Sequence, residues 1–161
     1  MATEVVEALP PLAADLCWLL SRASHNLTTE MTAALEDVGI SPRAHAVLTT
    51  ALTGELTQIE IARLVGLDKT TMVVTVDELE AAGLAERRPS STDRRARVIA
   101  VTDAGKRSVK AADTVLDRVR DDVLSALEPD ERRIFLESLG RLACGRLSEP
   151  VQCAHPVRRR R

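Results

Sequence analysis

The sequence predicts a mainly α-helical fold with one small β-hairpin, an α+β class in which helices dominate. The chain has 161 residues and is 45% hydrophobic, yet its only aromatic residues are Trp18 and Phe135. Leu, Val, Ile and Ala must therefore build the core, which favours packed helices over a β-sandwich. Apolar residues recur at helical steps of three and four, and the alternation that indicates a strand occurs at Arg95–Val98.

The first predicted helix is long and has a single apolar face. Its apolar residues run from Leu12 to Val38 at mostly helical spacing, and Gly39 supplies a left-handed stop. This face is long for a small domain, and charged residues lie on the opposite side of the helix. We therefore expect a partner helix to cover it.

Two short helices follow, and each has a start and a stop signal. Ser41-Pro42 places a capping serine before a proline at the first helical position, and this second helix is expected to end near Gly54. Thr57 and Glu60 fit a capping box at the start of the third helix, which Gly66 ends.

The fourth helix follows the third after a tight turn at Gly66-Leu67-Asp68. Asp68 is a good N-cap, and Ala62 is small enough to let the two helices cross closely. The pair matches a helix-turn-helix, which sets its second helix in the major groove of DNA; the alternative is an ordinary helical hairpin in an all-α core. The residues expected on the buried face of the fourth helix are Met72, Val76 and Leu79.

A strongly basic hairpin comes next. Leu84–Arg88 can form one strand, the following PSSTD is rich in turn residues, and Arg95–Val101 suits a return strand. Residues 87–97, RRPSSTDRRAR, contain five arginines and one aspartate although the whole chain has a net charge of -2. A helix-turn-helix followed by a basic two-stranded hairpin is a winged helix, whose wing reaches the groove beside the recognition helix.

The charge distribution favours a polyanionic partner for this part of the chain. Residues 1–62 hold two basic and eight acidic residues, residues 63–110 hold ten and seven, and residues 111–161 hold ten and nine. Outside the terminal RRRR, the middle segment alone has a clear positive excess, as a DNA-binding region would.

Two more helices complete the predicted fold. Thr102 is expected to cap the fifth helix, and Glu128–Glu131 ends that helix and begins the sixth. Their apolar stripes are expected at Val109, Ala112, Leu116, Val119 and Val123, and at Phe135, Leu139 and Leu142. The tail from Glu149 onward holds little that could pack and is expected to be disordered.

Six segments carry a resemblance to a known family. They are Thr57–Ala62, Leu67–Thr71, Asp77–Leu84, Arg88-Pro89, Asp93–Ala96 and Val101–Gly105. With the order of helices from about Leu12 to Leu147, they resemble the MarR family of bacterial transcription regulators.

The resemblance implies a homodimer in which the first, fifth and sixth helices interlock with their twofold mates. It implies two winged lobes on double-stranded DNA with a near-palindromic operator, whose half-sites lie ~34–36 Å apart. It also implies a repressor that a small, aromatic or anionic effector releases from DNA. The corresponding division is residues 1–40 for N-terminal dimerisation, 41–102 for the winged helix, 103–147 for C-terminal dimerisation and 148–161 for a disordered basic tail.

The recognition helix is expected to place Lys69, Thr70 and Thr71 in its first turn, near phosphate. Val73 and Val74 lie opposite the buried face, where the family often has a hydroxyl and an arginine. They can pack on thymine methyl groups but cannot hydrogen-bond to guanine, so we expect modest base specificity. In the alternative, the valines turn inward and the two threonines alone read bases.

In the wing, the resemblance implies that Asp93 forms a salt bridge to an arginine and fixes the turn. Arg94, Arg95 or both would enter the minor groove, where a narrow A·T-rich stretch concentrates negative potential. The residues expected at phosphates are Arg87, Arg88 and Arg97. The alternative to DNA binding is a solvated charged loop.

Three residues of the first helix are candidates for a ligand or redox site. Cys17 lies where the organic-hydroperoxide sensors of the family carry their reactive cysteine, although this chain lacks the tyrosines that support it. The alternative is a small buried residue on the dimer helix. Trp18 and His25 could line a ligand cleft of the family type, although Trp18 also suits the dimer core.

The sequence does not indicate an enzyme. It contains no nucleophile-base pair, phosphate-binding loop or metal-ligand cluster, so neither a cofactor nor a metal site is expected. The two other function classes are a redox-responsive repressor acting through Cys17 and a winged-helix module for protein interaction. No apolar run approaches the ~20 residues of a membrane span, and the N-terminus lacks a secretory signal, so we expect no membrane partner and a cytoplasmic location.

Overall fold

The computed structural model describes residues 15–149 and 151 of the chain. Over these residues it contains six α-helices, one 3-10 helix at Glu36–Val38 and two antiparallel strands. The predicted class, mainly helical with one β-hairpin, is confirmed. The elements are α1 (Leu16–Ala34), α2 (Pro42–Ala51), α3 (Gln58–Val65), α4 (Lys69–Ala81), β1 (Ala85–Pro89), β2 (Arg97–Val101), α5 (Asp103–Leu124) and α6 (Pro129–Ala143).

The helices around the turn begin at the polar caps that the sequence predicts. The hydroxyl of Ser41 accepts a backbone N–H at 3.1 Å, and Thr57 and Glu60 form both hydrogen bonds of the capping box. A carboxylate oxygen of Asp68 accepts another N–H at 3.0 Å. Each cap satisfies an amide that the first helical turn leaves without a partner, so α2, α3 and α4 begin where predicted.

The turn between α3 and α4 depends on a left-handed glycine. Gly66 has a φ of 77°, which glycine adopts without the steric cost of a Cβ. The N–H of Leu67 donates to the carbonyl of Ala62 at 2.8 Å, which closes α3 and leaves only a short turn before α4. The helix-turn-helix geometry expected from Ala62 and Gly66 is therefore present.

The end of α1 and the start of β1 differ from the prediction because local hydrogen bonds decide them. α1 ends at Ala34, and the chain tightens into the 3-10 helix, with Leu35 buried between the two. Leu84 precedes β1 instead of opening it, because its N–H donates to the carbonyl of Leu79 at 2.9 Å and completes the end of α4. The predicted start of the first helix at Leu12 and the basic end of the tail lie outside the described residues.

The core of the winged lobe packs α2, α3 and α4 against the hairpin and the first part of α5. The predicted face of α4 is buried, and Thr75 is buried beside it with its hydroxyl donating to the carbonyl of Thr71 at 2.8 Å. Its polar group is therefore satisfied within the core. The main apolar members are Leu35, Val47, Leu48, Ile61, Met72, Val76, Leu79, Ile99, Val109 and Ala112.

The hairpin is joined to the helix-turn-helix through the segment that enters α3. β1 pairs with β2 along its whole length. On the other edge of β2, the N–H of Ile99 donates to the carbonyl of Leu56 at 3.0 Å, and Thr57 forms an isolated bridge with Val98. Leu56 and Thr57, which bind this edge of β2, are consecutive residues, and Thr57 is also the N-cap of α3. These contacts fix the wing relative to α3.

The chain forms two compact units that divide after Arg120. In the first unit, Thr102 caps α5 as predicted, because its hydroxyl accepts the N–H of Gly105 at 3.0 Å. In the second unit, the N–H of Glu128 donates to the carboxylate of Glu131 at 2.9 Å and begins α6. Within the described ranges, each helix is too short or too polar to span a membrane.

Candidate DNA interface

The exposed face of α4 is the surface that a DNA groove would meet. Val73 and Val74 are 37% and 47% exposed, and Thr70 and Asp77 lie at helical spacing before and after them. Both valines point away from the core, so the alternative in which they turn inward is wrong. This face presents two branched apolar side chains between a hydroxyl and a carboxylate, and α4 contains no arginine.

The two threonines of the first turn have different hydrogen-bonding capacities. The hydroxyl of Thr71 donates to Asp68 at 2.5 Å, and the hydrogen bonds from Thr71 lower the pKa of that carboxyl. Thr71 therefore keeps only acceptor capacity for a base or a water. The hydroxyl of Thr70 is exposed and bonds to no described residue, so it can donate and accept. Lys69 is exposed beside it.

Asp93 fixes the wing turn, but in a different way from that predicted. Its carboxylate accepts the backbone N–H of Arg95 at 2.9 Å, and its carbonyl accepts the N–H of Ala96 at 2.9 Å. Among the described residues it forms no ion pair with an arginine, so the predicted salt bridge is wrong. The two backbone bonds also explain why β2 begins at Arg97 instead of Arg95.

Three wing arginines are exposed and form no ion pair with any described residue. They are Arg94, Arg95 and Arg97. Arg88 is paired with Glu86 on the same strand, and both side chains are largely exposed. A surface pair of this kind contributes little stability, so Arg88 can exchange its carboxylate partner for a phosphate. The hairpin therefore offers up to four arginines to a polyanion.

Arg87 differs from the other wing arginines and does not fit its predicted phosphate contact. Its side chain is only 28% exposed, and it forms ion pairs with Asp77 and Glu80 of α4. It also donates to Gln58, the first residue of α3. The guanidinium is consumed by internal partners because β1 directs it toward the helix-turn-helix and away from solvent.

Glu55 holds the base of the wing, a role that sequence reasoning missed. Its Oε2 accepts three hydrogen bonds of 2.9 Å, from the hydroxyl of Ser90 and from the hydroxyl and backbone N–H of Ser91. We call this group the wing anchor. Glu55 lies 35 residues before Ser90 and precedes no helix as a cap, so the sequence carried no local signal for it. The wing anchor joins the start of the PSST turn to the loop before α3.

The wing anchor gives the wing a pH dependence. The N–H and hydroxyls of Ser91 and Ser90 favour the carboxylate and lower the pKa of Glu55. Because the folded-state pKa lies below the unfolded value, this stabilisation is complete above the unfolded pKa, about 4.3. It is lost as the pH falls through the folded pKa.

We expect Glu55→Gln to lower the Tm near neutral pH, since the amide cannot accept all three donors with a full negative charge. The difference from wild type should shrink as the pH falls below about 4.3 and disappear once the pH passes the lowered pKa of Glu55, where the wild-type carboxylate also becomes protonated. Thermal unfolding, followed by circular dichroism from neutral to acid pH, measures this Tm difference. Glu30→Gln on the exposed part of α1 is the control. A Tm difference that persists undiminished in acid would contradict the wing anchor.

The three candidates on α1 do not come together in a closed site within this chain. Cys17 and His25 are exposed, and Trp18 is half-buried with the guanidinium carbon of Arg22 5.2 Å from its ring centre. α1 itself buries none of its residues. The redox role of Cys17 and the ligand role of Trp18 and His25 stay predictions.

A shallow concavity of about 390 Å³ lies between α3 and α4 and is separate from those candidates. It is lined by Gln58, Ile59, Ala62, Arg63, Leu67, Lys69 and Met72. Of the predicted site residues only Lys69 borders it, so it is not the cleft expected for an effector.

Known proteins resemble this chain in sequence and in fold. The family model described as the MarR family matches residues 38–96, which span the helix-turn-helix and most of the wing. CouR from Rhodococcus jostii RHA1, solved with p-coumaroyl-CoA, is 28% identical, with 85% of this chain and 97% of that chain covered and a TM-score of 0.76. A MarR-family transcriptional regulator from Rhodococcus sp. RHA1 is 27% identical over 85% of this chain and 99% of its own, with a TM-score of 0.77.

A third structure shows the same fold on a nucleic acid. The transcriptional repressor CouR bound to a 23-mer DNA duplex is 28% identical, with 82% of this chain and 94% of that chain covered and a TM-score of 0.75. The match therefore extends well beyond the winged lobe to nearly the full length of those regulators. Residues 38–96 thus match the MarR family, and the chain has the fold of DNA-binding transcriptional regulators of that family.

Proposed function

We propose that the chain is a dimeric repressor that binds a near-palindromic operator and leaves it when a small molecule binds. The observation that carries the proposal is the pairing of two surfaces on one lobe. The exposed face of α4 lies on a helix of 13 residues, and the adjacent hairpin offers three arginines that form no ion pair with any residue the structure describes. CouR, which has this fold, was solved on a DNA duplex.

The two surfaces divide the reading of DNA. Val73 and Val74 supply apolar contact for thymine methyl groups in the major groove, and Thr70 supplies a hydroxyl for a base edge or phosphate. Arg94 and Arg95 enter the minor groove, where groove width and not a base code attracts them. We therefore propose an operator with A·T-rich flanks and modest specificity at its major-groove positions.

Exposed apolar residues on the terminal helices support a homodimer. On α1, Leu16, Leu19 and Leu27 are 57%, 41% and 37% exposed. On α6, Ile134, Phe135 and Leu136 are each about half exposed. Apolar side chains exposed in this number on a helix mark that helix as a place of association. A twofold axis would set two winged lobes on half-sites one helical turn apart, ~34–36 Å.

The effector proposal rests on a relative and not on a cleft in this chain. CouR was solved with p-coumaroyl-CoA, an anionic ligand with an aromatic group. For this chain we propose a small aromatic or anionic effector, with Trp18 and His25 of α1 near it, acting in the cytoplasm. The effector would shift the equilibrium toward a conformation of lower DNA affinity.

The test combines mass and binding measurements on the full chain. Sedimentation equilibrium should give twice the monomer mass of 17.5 kDa. Fluorescence anisotropy with DNA from upstream of its own gene should then report release of the DNA on addition of hydroxycinnamate-type acids or their CoA thioesters. A monomer would contradict the dimer. Failure of release with these compounds would contradict the proposed effector class and leave the DNA-binding claim to its own measurement.

Lys69→Ala should weaken DNA binding without changing sequence preference. Lys69 is exposed in the first turn of α4, where a cation meets phosphate and no base edge. We expect the slope of log K against log salt to fall in magnitude by about one, for operator and random DNA alike. Lys110→Ala, which removes one exposed lysine from α5, is the control and should leave the slope unchanged. A loss confined to the operator would assign Lys69 to base reading instead.

A further inference from the structure

We propose that Arg87 is a positioning residue for DNA recognition, which holds the recognition helix against the wing and neutralises a carboxylate on its DNA-facing side. The inference rests on the proposed DNA-binding function and adds to it a residue that touches no DNA. It follows from the partners of Arg87 and from the place of one of them on α4.

The guanidinium of Arg87 joins three elements. Its Nη2 lies 2.7 Å from Asp77 Oδ1, and its Nη1 binds the carboxylate of Glu80. Nε and Nη2 reach Gln58 Oε1 at 3.4 and 3.3 Å, and the backbone N–H of Arg87 donates to Glu80 Oε1 at 2.7 Å. We call this group the Arg87 brace. A planar guanidinium can serve several acceptors at once, so β1, the first residue of α3 and the second half of α4 are held by one side chain.

Asp77 gives the Arg87 brace a second effect. Asp77 is four residues after Val73 and three after Val74, so it lies on the same exposed face, and its side chain is 59% exposed. A bare carboxylate there would stand within a Debye length, about 8–10 Å, of DNA phosphates and would repel them. Arg87 is the only cation among the described residues that forms an ion pair with Asp77. It therefore lets an acidic side chain remain on the recognition surface at little electrostatic cost.

The neighbouring arginine provides a matched comparison. Arg88 is adjacent on β1, so its side chain points to the opposite face of the hairpin. Its ion-pair partner is Glu86, on the same strand, and it forms none with α4 within the part of the chain described. Loss of Arg88 removes a positive charge from the wing but leaves the partner of Asp77 in place. Replacing Arg87 in one variant and Arg88 in another therefore separates the general effect of a lost positive charge from the specific effect of the Arg87 brace.

The experiment is a double-mutant cycle read out as operator affinity at one fixed salt concentration. Arg87→Gln should lower affinity about tenfold or more, and adding Asp77→Asn should restore about five- to tenfold of that loss. In wild type and in Arg88→Gln, Asp77→Asn should change affinity by less than about twofold, because Arg87 already neutralises the carboxylate. An equal effect of Asp77→Asn in all three backgrounds would overturn the inference.

Arg87→Lys provides a second test in case Arg87→Gln does not fold. Lysine keeps the charge and the aliphatic stem but lacks the planar guanidinium whose separate nitrogens serve the three acceptors, so the operator affinity of Arg87→Lys should lie between those of wild type and Arg87→Gln. If Arg87→Gln does not fold by circular dichroism, the same cycle on Arg87→Lys must show coupling to Asp77→Asn of the same sign. Equal wild-type affinity for promoter and random DNA would overturn the proposed function together with this inference. A specific wild type with no coupling would overturn this inference alone.

Discussion

Arg94→Ala/Arg95→Ala is expected to lower operator affinity by at least about 30-fold while the chain stays folded, since two groove contacts of about 1–3 kcal/mol each are lost. Both side chains are exposed at the tip of the wing and have no ion-pair partner among the described residues. Their removal therefore leaves no buried group without a partner, and the Tm should stay within about 2 °C of wild type. A gel shift or anisotropy titration at fixed salt measures the loss.

The control for this prediction removes two positive charges elsewhere. Arg107 and Lys110 are exposed on α5, outside the wing and the recognition helix. Arg107→Ala/Lys110→Ala should reduce affinity only through long-range attraction, by less than about tenfold at physiological salt. An equal loss from both double variants would mean that net charge, and not the wing, carries the binding. Unchanged affinity of the folded wing variant would remove the wing from the interface.

Gly105→Ala is expected to cause the largest loss of stability, at least about 3 kcal/mol, because the added methyl group would clash with the backbone of Leu84. A Cβ at this position would lie 2.1 Å from the carbonyl oxygen of Leu84 and 2.7 Å from Val101 Cγ1. That carbonyl cannot move freely, since it accepts the N–H of Thr102 at 3.0 Å. The first turn of α5 would have to separate from the base of the wing.

The matching control is a glycine with free space around it. A Cβ at Gly54 would meet nothing within 4 Å, and this residue does not have a positive φ. Gly54→Ala should therefore change the Tm by no more than about 2 °C, whereas Gly105→Ala should lower it by about 6–12 °C. Thermal unfolding of the two variants tests both values. A Gly105→Ala protein as stable as wild type would show that α5 does not pack closely on the hairpin.

Features with a local signal could be predicted from the sequence. The capping box of Thr57 and Glu60 and the left-handed Gly66 depend on residues within four positions, so the helix-turn-helix followed from spacing alone. The buried face of α4 followed from its helical period in the same way. The outward direction of Val73 and Val74 was one of two alternatives, and the core on the opposite face decided it.

Features that depend on distant residues could not be predicted. The sequence RRPSSTDRRAR does not show which of its arginines have internal partners. The alternation of side chains along β1 turns Arg87 toward α4 and leaves Arg88 on the outer face. No residue close to Glu55 in the sequence indicates its role, because its hydrogen-bond partners approach it only when the hairpin folds back. Asp93 was predicted in its bracing role but with the wrong partner, since a short carboxylate reaches the backbone two residues ahead more easily than a side chain.

A sequence-specific regulator must distinguish its own promoter from other DNA. Competition anisotropy at one physiological salt concentration compares labelled DNA from upstream of its gene with random DNA of equal length. We predict a preference of at least about 1,000-fold for the promoter fragment, as for other specific DNA-binding proteins. Equal affinity for the two DNAs would contradict the central claim and would favour a winged-helix module for protein interaction.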